Sequence, residues 1–291
     1  MAIADVTVVI PAYNAAAHIH VAIESAREVG ASEVVVVDDG STDETGRVAR
    51  ELGCRVITQR NGGAALARQA GIVAVATPMV ILLDADDEIV PRGVAESFRL
   101  ADTSTTWALI AGAALSKGTG HSAVVSPWTE GISVDSLLAR GHSAGPPGAF
   151  LWRTSVLQKA LRDDPPALRP RYAEDYELLI RGAMFGIVLC HNEVTCIYAS
   201  EGGKSALAPL RSNAAAEDIR RFYAKALNLN IRERSDNELQ SMAYLRMASA
   251  CPDRSFTKFA FFLMAAGKSP MFFPALAIRK VRRIIRTSRT S

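Results

Sequence analysis

The sequence predicts an α/β protein, with an open, mostly parallel sheet flanked by helices and a helical extension after it. Three observations carry that expectation. Short β-branched runs alternate with stretches of helical length through the first hundred residues. Those runs are apolar throughout rather than at every second position, the pattern of strands buried on both faces. Acidic and turn-forming residues gather where the runs end, at the sheet edge where open α/β proteins bind ligands.

In chain order the predicted strands are Val6–Ile10, Val34–Val37, Val56–Thr58 and Met79–Leu83. Helices are expected at about Ala15–Val29, Thr42–Leu52 and Ala64–Ala74, the second opened by Ser41-Thr42-Asp43-Glu44, whose side-chain oxygens suit the unpaired N–H groups of a first turn. Pro91 starts a helix to about Ala101, because a proline at the first helical position forfeits no needed hydrogen bond. Later strands are expected near Ala108–Leu115 and Ile187–Tyr198, with a loop at Ser143–Gly148. Helices follow near Thr154–Leu161, Ala173–Phe185, Leu207–Leu227 and Asp236–Ala250, and the last forty residues read as appended helices.

The composition, 49% apolar and 22% charged over 291 residues, is that of a globular protein. Four scattered cysteines (Cys54, Cys190, Cys196, Cys251) do not make a disulfide framework. His191 between Cys190 and Cys196 lacks a second ligand pair at zinc spacing. The net charge of +3 divides into −6 over residues 1–253 and +9 over residues 254–291, which hold nine Lys/Arg and no acid. An acidic body excludes a nucleic-acid-binding domain, whose footprint is a basic face. The basic tail suits an anionic lipid surface, and along Leu276–Arg289 aliphatic residues fall largely on one helical side. Asp5 interrupts the start, with no Lys or Arg before it, so no signal peptide is read there. No apolar run reaches bilayer-spanning length. The expected location is cytoplasmic, peripheral on the membrane face.

Four groups of residues fall where an open sheet places its site. Pro11-Ala12-Tyr13-Asn14 follows the first strand, without the G-x-G-x-x-G of a dinucleotide site. Asp38-Asp39-Gly40-Ser41 ends the second strand; these acids suit either the cap of the next helix or the N–H and hydroxyl groups of a nucleoside, and two exceed what one cap requires. Asp84-Ala85-Asp86-Asp87 ends the fourth strand, where three carboxylates repel unless a hard divalent cation compensates. Glu174-Asp175 opens a helix, either as dipole-stabilised acids or as a general base.

With Asn61-Gly62-Gly63 and the following Ala64 to Gly71, and a looser Gly148-Ala149-Phe150-Leu151-Trp152-Arg153, these groups stand in one order and spacing. Over about residues 5–205 the chain resembles the family 2 glycosyltransferases. The resemblance implies the GT-A type nucleotide-diphospho-sugar transferase fold, a Rossmann-like open sheet. It places the glycosyltransferase domain at 1–205 (donor half about 1–90, acceptor half about 91–205) and the helical extension at 206–291. It further implies inverting transfer of a sugar from a nucleotide-diphosphate donor to a glycan or lipid-linked acceptor hydroxyl. On that resemblance Pro11, Ala12, Tyr13, Asn14, Asp38, Asp39, Gly63, Arg68, Asp84, Ala85 and Asp86 bind the nucleotide sugar. Asp86 and Asp84 hold Mg²⁺ or Mn²⁺, Asp175 is the base, and Glu174 and Trp152 lie on the acceptor side. Arg68 faces either the diphosphate or the acidic loop. Gln69 stands where the family often has Asn. In Tyr198–Ser205, Lys204 and Ser205 either contact the diphosphate or sit in a solvated glycine loop. The rival readings are a nucleotidyltransferase, which needs a Gly-rich basic loop after the first strand, and an inactive membrane-bound scaffold of the same fold.

Overall fold

The computed structural model describes residues 5–118, 121–128, 130–199, 207–251 and 256–269. Its first half is a parallel sheet built from β1 (Val6–Ala12), β2 (Glu33–Asp38), β3 (Arg55–Thr58) and β4 (Met79–Leu82), in spatial order β3-β2-β1-β4. β1 and β4 are buried along their whole length, as the unbroken apolar runs predict. Alternate side chains serve opposite faces. Val6, Val8 and Ile10 pack with Ile19 and Ile23 of α1 (Ile19–Glu28), while Val9, Val37 and Leu82 pack with Ala67 and Ile72 of α3 (Ala64–Ala74). Each such aliphatic burial contributes about 1.5–3 kcal/mol. α3 lies against β1 because Gly71 has no side chain; a Cβ there would stand 2.3 Å from Val9 Cγ1.

α2 (Thr45–Glu51) starts three residues later than expected, because Ser41 Oγ and Asp43 Oδ2 accept from the loop after β1, while Asp43 Oδ1 accepts from Thr45 N at the start of the helix. β5 (Glu88–Ile89) is followed by α4 (Pro91–Ala101), which begins at Pro91 as expected. From there the sheet is mixed. β6 (Trp107–Gly118) pairs parallel with β9 (Ile187–Ala199), but β7 (His121–Val125) and β8 (Phe150–Arg153) run antiparallel to β6, as β8 does to β4 and β5 to β9. Parallel pairing is therefore confined to β1–β4 and the β6–β9 pair. β8, which joins the two halves, has four residues, too short for either strand pattern to register in sequence.

Three helices cover the second half: α5 (Val134–Arg140), α6 (Thr154–Arg162) and α7 (Glu174–Ala183). α5 escaped the sequence reading, although Ser133 and Ser136 form a capping box at its start and Gly141 (φ 69°) ends it. α8 (Pro209–Ala226), α9 (Asp236–Ala250) and α10 (Phe256–Lys268) make up the C-terminal helices. They are not a loose appendage. Ile219 and Tyr223 of α8 share one buried cluster with Trp152, Tyr176 and Leu179. Arg181 of α7 donates to the Tyr223 hydroxyl (3.0 Å), which in turn donates to Glu177. The expected division at 205/206 and the basic stretch 276–289 fall outside the described residues.

Candidate active site

Two loops at the carboxyl ends of β1 and β2 are knitted together. Asn14 adopts φ 51°, a left-handed conformation that asparagine tolerates. Its Oδ1 accepts from Thr42 N (2.8 Å), and its own N–H donates to Ser41 Oγ (3.0 Å). Asp43 accepts from Ala16 N and Thr45 N, and the bond from the Thr45 hydroxyl is the main reason its pKa is lowered. Pro11 and Ala12 are buried, so they offer backbone alone, whereas Tyr13 stands 51% exposed on the lip.

The paired acids of β2 part company. Asp38 turns inward and accepts from Ser41 N (2.9 Å); a Cβ on Gly46 would reach 2.6 Å from its Oδ2. Asp38 thus shapes the turn. Asp39 Oδ1 accepts from Gln59 Nε2 (2.7 Å) and Gly62 N (2.9 Å), and Oδ2 from Gly63 N (2.7 Å). Oδ2 keeps capacity for one more donor. Gly63 (φ 88°) then opens α3 and so fixes where Arg68 points.

Arg68 is the hub. Its side chain is 7% exposed, donating from Nη2 to Asp84 Oδ1 (2.5 Å) and from Nη1 to Glu174 Oε1 (3.4 Å). Of the two readings open for Arg68, the geometry selects the salt bridge to the acidic loop. Burial works against its charge, but Asp84 and Glu174 raise its pKa. Its Nε is buried with no acceptor among the described residues.

After β4 the chain turns tightly, Asp87 N donating to Asp84 O (3.1 Å). Ala85 is buried and Asp86 exposed. Asp87 is buried, and that burial, with Asp84 and Asp86 beside it, pushes its pKa up to about 8. Across Arg68, α7 is entered through Ala173 in a left-handed conformation (φ 59°), which costs on the order of 1 kcal/mol for a non-glycine residue. That entry sets Glu174 and Asp175 in the first helical turn. Burial, then the neighbouring Glu174, raise the Asp175 pKa to about 6, with Arg68 pulling the other way. Asp84, Asp86, Asp87, Glu174 and Asp175 thus share one region, with Arg68 between the Asp84 turn and Glu174.

This donor set fits a magnesium or manganese ion. It is all oxygen, carries excess negative charge, and exposes Asp86 beside an Asp84 whose side chain is 34% accessible. No group of three or more His, Cys, Asp or Glu among the described residues forms a ready-made metal cage. That suits a hard ion held by one or two carboxylates and completed by substrate phosphates.

Trp152 does not meet its expectation. It is 2% exposed, its ring lies against the backbone of Gly182, and it meets Phe150 edge-on at 6.1 Å. It lines a small cavity beneath Asp175 and Arg68 and offers no face to an acceptor. Lys204 and Ser205 lie outside the described residues. His191 is buried with its Nε2 on Ser97 Oγ (2.8 Å), which is a core role.

Two participants had no signature in sequence. Asp87 reads as part of an acidic turn, and only its burial distinguishes it. Arg246 lies on α9, hydrogen-bonded to Asn213 Oδ1 (3.1 Å) and Ser212 Oγ (3.4 Å), and its charge interacts with Asp175. It is accessible to solvent, yet surrounding atoms lower its pKa, as in the wall of a cleft. No local motif marks it.

Residues 7–118 match the family model described as Glycosyl transferase family 2. Over these residues the chain is similar to family 2 glycosyltransferases. The match takes in the first three motifs and the Asp84–Asp87 turn, and stops before Trp152 and Asp175. The chain is 43% identical over 94 residues to the succinoglycan biosynthesis protein ExoU of Rhizobium meliloti, covering 30% of this chain and 28% of that protein. The chain therefore spans less than a third of that relative's length. In fold it is similar to Staphylococcus aureus TarS 1–349 in complex with UDP-GlcNAc, with TM-score 0.58, 18% identity, and 90% and 80% of the two chains covered. It is likewise similar to the mannosyltransferase PcManGT from Pyrobaculum calidifontis in complex with GDP-Man and Mn²⁺, with TM-score 0.55, 17% identity, and 96% and 79% covered. Both likenesses extend past the family match into the second half, and they show the GT-A fold.

Proposed function

We propose that this chain is an inverting, metal-dependent glycosyltransferase that moves a sugar from a nucleotide-diphosphate donor to an acceptor hydroxyl. The observation that carries the reading is the meeting of the Asp84–Asp86 turn with Asp175 across Arg68. Tyr13, with the backbone of Pro11 and Ala12 and the turn at Asn14, forms the wall for the nucleoside, and Asp39 Oδ2 accepts from its N–H or hydroxyl. Asp86 and Asp84 would hold the Mg²⁺ or Mn²⁺ ion, which would supply positive charge to offset that of the departing diphosphate.

Asp175 is the base. A sugar hydroxyl is a poor nucleophile at neutral pH, and a carboxylate with pKa about 6 is ionised there while keeping more basicity than an ordinary aspartate. The acceptor oxygen bonds the anomeric carbon as the bond to the diphosphate oxygen breaks. The hydroxyl proton passes to Asp175, and the electron pair leaves with the nucleoside diphosphate. A single base on the face opposite the leaving group gives inversion. Arg68 positions this apparatus by holding Asp84 and Glu174 to each other. The acceptor is a glycan or lipid-linked sugar of the cell envelope, a reading supported by the relative named for succinoglycan biosynthesis. The protein works at the cytoplasmic face of the membrane.

The test is thermal unfolding with UDP-, GDP- and dTDP-linked sugars, with and without Mn²⁺. A ligand that binds the native state raises the midpoint by mass action. The expected result is a Mn²⁺-dependent rise with one nucleotide that Asp86→Ala abolishes. A rise that is the same without metal and in Asp86→Ala refutes the metal assignment, and no rise with any donor refutes the donor site.

A further inference from the structure

α10 has two unlike faces. One packs on α9: Phe261 stacks on Tyr244 with ring centroids 6.3 Å apart and planes at 18°, Ala265 is fully buried, and Ser241 Oγ donates to Ala265 O (2.9 Å). On the opposite side Phe256, Phe259 and Leu263, spaced i, i+3, i+7, are 85%, 59% and 57% exposed, with Met264 beside them at 45%. Large apolar groups in contiguous array are rarely left in water without a partner. The helix has 13 residues, about 20 Å at 1.5 Å per residue, well short of the roughly 30 Å hydrocarbon core of a bilayer. No helix among the described residues is long and apolar enough to cross a membrane. A surface of this kind lies on a bilayer and does not span it.

We infer that the Phe256–Phe259–Leu263 face of α10 is a docking surface for an anionic lipid bilayer. Charge selects this occupant. Residues 254–291 carry nine Lys/Arg and no acid, with Lys258 and Lys268 on α10 itself and six more in residues 270–291. A second copy of the chain would add another nine cations and no acid from its own residues 254–291, and like charges repel. An anionic lipid surface accepts both the apolar stripe and the cations, and two such signals together make stable anchoring. This inference does not rest on the proposed reaction, because lipid binding is read without turnover.

The experiment is co-sedimentation of the full chain with large vesicles of phosphatidylcholine and phosphatidylglycerol at 70:30, against phosphatidylcholine alone. The chain should pellet with the anionic vesicles and stay in solution with the neutral ones. The variant Phe256→Ser/Phe259→Ser/Leu263→Ser should bind the anionic vesicles at least about tenfold more weakly, as expected for removing buried aromatic anchors. Because these side chains are exposed, its unfolding midpoint should stay close to that of the unaltered chain. A second variant, Phe259→Trp, keeps the face apolar and should gain a blue-shifted fluorescence component when anionic vesicles are added. Failure of the unaltered chain to pellet, undiminished binding by the triple variant, or unshifted emission from the Phe259→Trp variant would each overturn the inference. So would a dimer in sedimentation velocity that the triple variant dissociates, which assigns the stripe to a second copy. A failed donor titration would leave these readouts untouched.

Discussion

Replacing Arg68 with methionine keeps most of the side-chain volume and deletes the charge that Asp84 and Glu174 share. Two consequences can be worked from the geometry. The first is stability. Removing one partner from a buried ion pair costs about 3–5 kcal/mol, because it strands the other charge. Here Arg68 and Glu174 are 7% and 16% exposed, but Asp84 is 34% exposed and recovers part of its hydration, so the lower end, about 3 kcal/mol, applies. For a chain of this size that lowers the unfolding midpoint by roughly 5 °C. The second consequence is titration. Arg68 draws the Asp175 pKa down against burial and Glu174, so its loss moves that pKa up from about 6. The assays are calorimetry and the pH dependence of donor turnover, with a double-mutant cycle against Asp84→Asn. Arg68→Met should cost markedly less in the Asp84→Asn background, because the stranded carboxylate is gone. An unchanged midpoint, additive effects in the cycle, or an acid limb that stays put would refute the idea that Arg68 joins the two halves of the site.

Two further predictions concern the base. The unaltered protein should lose activity tenfold per pH unit below about 6 and hold a plateau above it, since the catalytic form is the ionised carboxylate; Asp175→Asn should lower kcat by about 10²–10⁴ while leaving the donor-induced rise in unfolding midpoint intact. The same raised pKa works against stability, so the Asp175 contribution to folding is fully present below its ordinary value near 3.8 and is lost as pH rises through about 6. Arg246→Gln removes a cation that favours ionised Asp175, so the acid limb should move to higher pH with donor affinity unchanged; an unmoved limb in the pH–rate profile would assign Arg246 to helix packing alone.

Much of the donor half was legible because its physics is local. β1, β2 and β4 are buried on both faces and therefore run through unbroken apolar stretches such as Val8–Ala12, Val34–Val37 and Met79–Leu82, and the bounds of α3 and α4 follow from a glycine that turns the chain and a proline that fits a first turn. The acidic turn after β4 stood out because like charges placed together imply a compensating cation. What sequence did not disclose was which acids face inward. Asp38 and Asp39 are adjacent and chemically identical, yet one braces a turn and the other clamps Gly62 and Gly63. Trp152 sits in a motif-like stretch, and nothing local tells a buried tryptophan from a stacking platform. β8 pairs with strands about forty and seventy residues earlier in the chain, and Arg246 meets Asp175 from a helix about seventy residues later. Those are properties of the assembled sheet, written in no single window of sequence.

The shared core around Tyr223 bears on how such a protein changes over time. The family match ends with the last residue of β6, the strand that hydrogen-bonds to β7, β8 and β9 at once. Beyond it, Trp152, Tyr176, Ile219 and Tyr223 interlock, and the Glu177–Tyr223–Arg181 chain ties α7 to α8 with groups that have no water to fall back on. Altering the helix that carries Asp175 therefore disturbs the partners of α8, and altering α8 disturbs the helix that carries Asp175. The region of α7 and the C-terminal helix α8 therefore form one mechanical unit, and a change in either is accommodated only by repacking both.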